Sequence, residues 1–314
     1  MLRKRVSVIQ TLIPLFVLVS VLTACSDQTP ASDTASDTVS TTPGVTAPAT
    51  PVPLPANMVD TGRLAFNGNQ DGDYEIFVLD FDLGEVRRLT DNDVGDHWPD
   101  WSPDGHHLVF YSDRDGDFEI YLMDENGGDV RQLTDNEARD SLGSWSPDGR
   151  TIAFNSDRDG DEEIYLMDAD GSNVRQLTDH PAGDFVPVWS PDGERLAFAS
   201  LRSGSYQVWV MNSDGSEQIQ LTVGPSAGFP VWSSTSNEVA FDGWMNETRG
   251  VFIVDASQQE DTQFLGVGGG WPVWSPDDKR IAFTDLDNMI VVVDPLGSNP
   301  VSTLQNGYAV SWHR

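Results

Sequence analysis

The chain has 314 residues, with 50 acidic against 18 basic side chains and a formal net charge of −32 at pH 7. A surface this acidic repels phosphate backbones and excludes nucleic acid as a partner; it suits metal ions or a basic protein surface. Hydrophobic residues make up 38% and aromatics 10%, ten tryptophans included, enough for a sizeable core in one large domain or two ordinary ones.

At the start, Arg3, Lys4 and Arg5 precede an apolar stretch from Val6 to Leu22 that Pro14 interrupts. The stretch is short for a membrane span and ends in small residues, as a secretory signal does. Leu22-Thr23-Ala24-Cys25 resembles the lipobox of bacterial lipoproteins. That resemblance implies removal of residues 1–24, lipidation of Cys25 and export to a bacterial cell envelope, periplasm-facing or at the cell surface. A plain signal peptide or an uncleaved anchor would export the domain equally. Cys25 is the only cysteine, so no disulfide forms within the mature chain. Residues 25–57 are Ser, Thr, Pro, Ala and Asp with scarcely a large apolar side chain, which predicts a disordered tether. Fully extended, about 30 residues at about 3.1 Å each reach on the order of 90 Å.

Residues 58–314 are built on a repeat. Trp-Ser recurs at Trp101, Trp145, Trp189, Trp232 and Trp274, with a last copy at Trp312-His313, at spacings of 44, 44, 43, 42 and 38 residues. Between tryptophans the order of parts is constant. In the first full unit a turn (Ser102-Pro103-Asp104-Gly105) leads to Leu108-Val109-Phe110, then to an acidic stretch and to Glu119-Ile120-Tyr121-Leu122-Met123-Asp124. Asn126-Gly127-Gly128 turns the chain into Val130-Arg131-Gln132-Leu133-Thr134. Each run is short and rich in β-branched and aromatic residues, and Ser-Pro-Asp-Gly meets the demands of a type I turn. Four strands per unit of about 40–45 residues predict an all-β propeller of six four-stranded antiparallel blades.

The repeat resembles that of TolB-type β-propellers, on Trp-Ser-Pro-Asp-Gly, Ile152-Ala153-Phe154, Asp157-Arg158-Asp159-Gly160, Glu163 to Asp168 and Gln176-Leu177-Thr178. The likeness covers about residues 62–313. It weakens where Ser234-Thr235-Ser236 replaces Pro-Asp-Gly and where Asp278 replaces a turn glycine. In that family the Trp-Ser strand is the innermost of its blade. The resemblance then implies that Ala309-Val310-Ser311-Trp312 supplies the missing inner partner of Arg63-Leu64-Ala65-Phe66 and closes the ring. It also implies that the repeated tryptophans are chiefly core. Trp98 and Trp271 fall outside that register, in segments leading to inner strands near the channel mouth, and are the candidate partner contacts. TolB itself carries an α/β domain before its propeller; here the tether occupies that place, and what carries over is the propeller's habit of binding proteins.

Alternating turns put the acidic hairpin of each blade on one face with the loop after Leu-Thr. The acids concentrate in the first three blades, at Asp71/Asp73/Glu75, Asp113/Asp115/Asp117/Glu119 and Asp157/Asp159/Asp161/Glu163, with Asp91, Asp93, Asp96, Asp135, Glu137, Asp140, Asp179 and Asp184 in the loops. One half of that face is expected to be acidic and the other nearly neutral. Two readings of Asp-x-Asp-Gly-Asp stand side by side. Alternate carboxylates in a tight loop can turn toward one Ca²⁺, which makes those eleven hairpin acids candidate ligands, with no other cofactor required. Alternatively Asp115-Gly116 forms a type I′ hairpin turn, and Arg114 neutralises its neighbours.

Catalytic signatures are weak. Gly224-Pro225-Ser226-Ala227-Gly228 matches Gly-x-Ser-x-Gly but lacks the strand–turn–helix setting that a nucleophile elbow needs. His97, His106, His107, His180 and His313 are not paired at metal-ligand spacing. The expectation is a non-enzymatic, monomeric binding or scaffold module whose envelope partner presents a basic surface to an acidic face including Asp96, Asp140 and Asp184. The alternative is a carbohydrate-binding or carbohydrate-active propeller, lyase- or glycosidase-like, that works in its central channel.

Overall fold

The computed structural model describes residues 62–69, 72–245, 247–257, 262–266, 270–287, 289–295, 301–304 and 307–313. The signal segment, Cys25, the tether and Asp71 lie outside them. Among the described residues, twenty-four strands form six four-stranded antiparallel sheets. Blade one takes β1 (Arg63–Asn69), β2 (Tyr74–Asp80) and β3 (Glu85–Arg88). Blade two is β4 (Asp96–Trp101), β5 (His107–Ser112), β6 (Glu119–Asp124) and β7 (Arg131–Gln132). Blade three is β8 (Asp140–Trp145), β9 (Thr151–Ser156), β10 (Glu163–Asp168) and β11 (Arg175–Gln176). Blade four is β12 (Asp184–Trp189), β13 (Arg195–Ser200), β14 (Gln207–Asn212) and β15 (Ile219–Gln220). Blade five is β16 (Ser226–Trp232), β17 (Glu238–Met245), β18 (Thr248–Asp255) and β19 (Thr262–Gly266). Blade six is β20 (Gly270–Trp274), β21 (Ile281–Thr284), β22 (Ile290–Val293) and β23 (Val301–Leu304). The last strand, β24 (Gly307–His313), pairs with β1 from Arg63↔His313 to Gly68↔Gly307 and completes blade one, as expected. No helix among the described residues is long and apolar enough to cross a membrane.

The core lies between blades. Second strands bury a phenylalanine at one position in every blade: Phe66, Phe110, Phe154, Phe198, Phe241 and Phe283. The repeated tryptophans are interblade packing, as expected: Trp101, Trp145, Trp232, Trp274 and Trp312 are all buried, and Trp189 nearly so. The outer strands are shorter than the sequence implies, two residues in blades two to four. Leu-Thr explains this. The backbone N–H of Ile120 donates to the Thr134 hydroxyl at 2.9 Å, and Ile164 to Thr178 likewise, so a side chain replaces the ladder partner. Short outer strands also leave little edge for stray pairing.

The Pro-Asp-Gly turns form as expected. Ser102 Oγ donates to Asp104, the backbone of His107 donates to Ser102 Oγ, and Gly105 sits at φ 70°. The two irregular turns compensate each other. Asp278 adopts φ 55° in place of glycine, and its carboxylate accepts from the backbone N–H groups of Ser234 (2.7 Å) and Thr235 (2.6 Å) in the blade-five turn that lacks Pro-Asp-Gly. Asp278→Ala is expected to destabilise the domain by about 0.5–1.5 kcal/mol, because it keeps the left-handed strain and loses the hydrogen bonds that tie the two turns together. Asp278→Gly relieves the strain and falls between wild type and the alanine variant. Melting curves of the three proteins check the order; equal melting temperatures would contradict it.

Candidate functional site

Two layers of side chains line the central channel, and both follow from a break in the inner strands. In blades two to six the register with the second strand slips at the same place, between His97/Asp100, Ser141/Ser144, Phe185/Val188, Gly228/Val231 and Gly270/Val273. The first unpaired residue of each bulge is left-handed: Trp98 (φ 55°), Leu142 (56°), Val186 (55°), Phe229 (47°) and Trp271 (53°). None is glycine, and a β-branched valine is a genuine outlier there. Such residues cost about 1–3 kcal/mol each and persist only where packing over-determines them. All five line the channel. Trp98 and Trp271 thus sit inside inner strands rather than in the preceding segments, since a bulge within the strand turns their side chains inward.

Across the axis three of these rings meet. Phe229 lies 5.3 Å from Trp98 and 5.8 Å from Trp271, and the two indoles are 6.4 Å apart in an edge-to-face pair. Blades two, five and six thereby supply an aromatic plug. The sequence reading found the two tryptophans but missed Phe229, although its signal was present: an apolar residue stands three places before each repeat tryptophan.

The second layer is the residue immediately before each repeat tryptophan. Asp100 stands out. Its carboxylate accepts from the Trp145 backbone N–H at 2.9 Å and from Ser311 Oγ at 2.8 Å, which ties blade two to blade three and to the closing strand. Burial pushes this carboxyl up to about 6.

The acids at the hairpin end of the strands divide into two populations. Asp96, Asp140 and Asp184 are fully buried and ion-paired to Arg114 (2.6 Å), Arg158 (2.8 Å) and Arg202 of their own blades' hairpins. Each guanidinium also lies over an aromatic ring, 4.7 Å from Tyr121, 4.7 Å from Tyr165 and 4.8 Å from Trp209. Glu75, Glu119 and Glu163 are buried too. They receive the backbone N–H groups of Asn92, Asn136 and His180 in the loops that lead to the next blade. Asn136 Nδ2 then donates to Asp140, linking a carboxylate of one blade to that of its neighbour. These six residues hold the ring together, so Asp96, Asp140 and Asp184 are not on the surface that a partner would meet. The others remain outside. Asp91, Asp93, Asp113, Asp115, Asp135, Glu137, Asp159 and Asp179 are exposed, and Asp73, Asp117, Asp157 and Asp161 partly so.

The hairpin turn also differs from expectation. The Gly116 N–H donates to the Asp113 carbonyl at 3.0 Å, so the turn is Asp113-Arg114-Asp115-Gly116 with glycine fourth at φ 122°, not a two-residue Asp115-Gly116 turn. Blade four makes the same turn with Leu201-Arg202-Ser203-Gly204, without acids. The far half of the end is less neutral than expected, since Glu247, Asp285 and Asp287 fall at the hairpins of blades five and six. It also exposes Val223, Trp244 and Leu286. Among the described residues no group of three or more His, Cys, Asp or Glu is placed to hold a metal ion. At the buried aspartates an arginine stands where a cation would.

Burial drives several carboxyls upward. Glu119 rises to about 7, with Asp140 and Asp117 adding to the effect, and Glu163 to about 7, with Asp184 and Asp161 adding. Glu162 and Asp242 also reach about 7 by burial. Each holds its proton more tightly folded than unfolded. Their contribution to stability is therefore full below about pH 4 and is lost as pH rises through about 6 to 7. Turn aspartates such as Asp104 and Asp148, held low by serine hydroxyls, act oppositely and lose their contribution on acidification. The melting temperature is expected to peak near pH 5 and to fall by about 5 °C or more by pH 8. A curve flat over that interval would contradict the assignment.

A ring of six four-stranded blades, closed by pairing the last strand with the first and centred on a plugged channel, is a six-bladed β-propeller. The chain belongs to the TolB β-propeller family, whose model, the TolB beta propeller domain, matches residues 33–154 and 140–284. TolB from Acinetobacter baumannii is similar in structure (TM-score 0.72, 21% identity), over 80% of this chain and 66% of that one. The chain thus spans just under two thirds of that protein's length. Putative TolB from Agrobacterium tumefaciens is similar at TM-score 0.52 and 24% identity over 79% and 84% of the two chains. Oligogalacturonate lyase from Vibrio parahaemolyticus is similar at TM-score 0.57 and 14% identity over 77% and 75%. None of the curated proteins matches the chain.

Proposed function

We propose that the protein is a non-enzymatic docking module of the bacterial cell envelope, lipid-anchored through Cys25, that captures a protein with a basic surface. The observation that carries the reading is the division of the acids. Those the fold needs are buried and paired, while Asp113 in the blade-two hairpin and Asp93, Asp135, Glu137 and Asp179 in the loops that join blades one to four stand exposed at one end of the strands. Carboxylates concentrated in this way steer a cationic surface into encounter and set its register. Crosslinking in native envelopes, followed by affinity capture of the protein, tests it. A reproducible partner with a basic contact surface is expected; recovery of only acidic or non-protein ligands would contradict it. Calcium at the exposed hairpin acids would alter this surface, and a melting curve with calcium against chelator detects it.

A second reading, carbohydrate binding in the channel, is favoured by one observation, the aromatic rings at the axis. The likeness to oligogalacturonate lyase reaches the fold alone. A net charge of −32 disfavours a polyanionic sugar, so a neutral oligosaccharide panel is its test.

A further inference from the structure

Beyond the aromatic plug, toward the Pro-Asp-Gly turns, the channel holds a cavity of about 180 Å³. Its wall is divided at one level. Ser311, Asp100 and Ser144, from blades one, two and three, form a polar arc, and Val188, Val231 and Val273, from blades four, five and six, form the facing apolar arc. Asp100 is the single ionisable side chain among the described residues that line the cavity. Its oxygens accept from the Trp145 N–H and the Ser311 hydroxyl, with the Trp101 backbone also hydrogen-bonded to the carboxylate; a carboxylate has about four acceptor sites, so capacity remains. A carboxylate facing three valines, with His313 as its one positive influence and no arginine or lysine paired to it among the described residues, is costly unless something positive joins it.

We infer that this cavity is a binding site for a primary ammonium carried on a short apolar stem. The ammonium has three donors and no acceptor, and Asp100 with the Ser144 and Ser311 hydroxyls offers acceptors on one side only. The stem lies along Val188, Val231 and Val273 and ends against the Trp271 and Phe229 rings. Size agrees: an apolar cavity of about 150 Å³ takes benzene, so this one takes a stem of about five carbons. The same chemistry is found in a free alkylamine and in a lysine side chain presented by a protein. The plug separates the site from the exposed acids, so it stands independently of the proposed docking surface.

Calorimetric titration of the full-length chain at physiological ionic strength tests the assignment, with n-pentylamine, 1-pentanol and Nα-acetyl-lysine N-methylamide as probes. Pentylamine is expected to bind one site about tenfold or more tighter than pentanol, the margin of a charge-assisted hydrogen bond. Asp100→Asn is expected to remove that margin. The comparison of amine with alcohol needs no variant, so it holds even if Asp100→Asn folds poorly. Binding of pentylamine points to a free amine as the natural occupant, and binding of the lysine derivative alone points to a protein side chain; either supports the site. Equal binding of amine and alcohol, no binding of either amine, or a margin kept in a folded Asp100→Asn protein overturns it.

Discussion

A chain ending at residue 308, without its last six residues, is expected to melt about 10 °C or more below the full protein, or to lose its cooperative transition. β24 is the inner strand of blade one, and its loss leaves β1 with an open edge facing the channel. The lost side chains are central to the closure. Trp312 is 8% exposed and stacks on Phe81 at 4.8 Å, in the cluster that also holds Leu64 and Phe66 of its own blade and Val273 of blade six. Ser311 Oγ accepts the Trp101 N–H at 3.1 Å while donating to Asp100, so removing it unties blade two as well. Emptying one core tryptophan site costs about 3–5 kcal/mol, and for a domain of this size about 2–4 °C follow per kcal/mol. A synthetic peptide of residues 306–314 should recover part of the loss. A truncated protein that melts with the full one would show that the ring closes by other means.

Arg202→Ala is expected to cost about 3–5 kcal/mol, comparable to the loss of a core side chain, although arginine sits in a hairpin. Asp184 is fully buried, and Arg202 is its ion-pair partner, with only 11% of its own side chain exposed. Removing one member of a buried pair leaves an uncompensated charge. The guanidinium also lies over Trp209 and Phe198 and donates to Gln218. If the charge is the main cost, Arg202→Met with Asp184→Asn together should recover most of the stability, since the double variant buries no lone charge. A double variant no better than Arg202→Ala would move the cost to packing over Trp209.

The architecture was legible because the sequence repeats it: a tryptophan in every blade, with Leu-Thr in blades one to four, gives the strand count, and the resemblance, which makes the Trp-Ser strand innermost, then implies the exchange of β24 into blade one. The roles of the acids were not legible, because identical letters meet different surroundings. Asp113 and Asp96 look alike in the sequence, yet one is exposed and the other entirely buried. Arg114 reads as a neutraliser of the aspartates beside it but reaches back 18 residues to Asp96. Blade four held the clue, since it discards the hairpin acids and still keeps both Arg202 and Asp184. The channel was half legible for a similar reason: tryptophans draw the eye, whereas Phe229, Leu142 and Val186 share their position without sharing their letter.

The central claim is that the exposed carboxylates, and not the buried ones, recognise a basic protein. Its most direct measurement is partner affinity for a variant carrying Asp93→Lys, Asp113→Lys, Asp135→Lys, Glu137→Lys and Asp179→Lys, none of which has a hydrogen-bonded or ion-paired side chain in the described structure. Capture is expected to fall at least about 100-fold at physiological salt, with a melting temperature within about 2 °C of wild type. Undiminished capture by a folded variant would contradict the account.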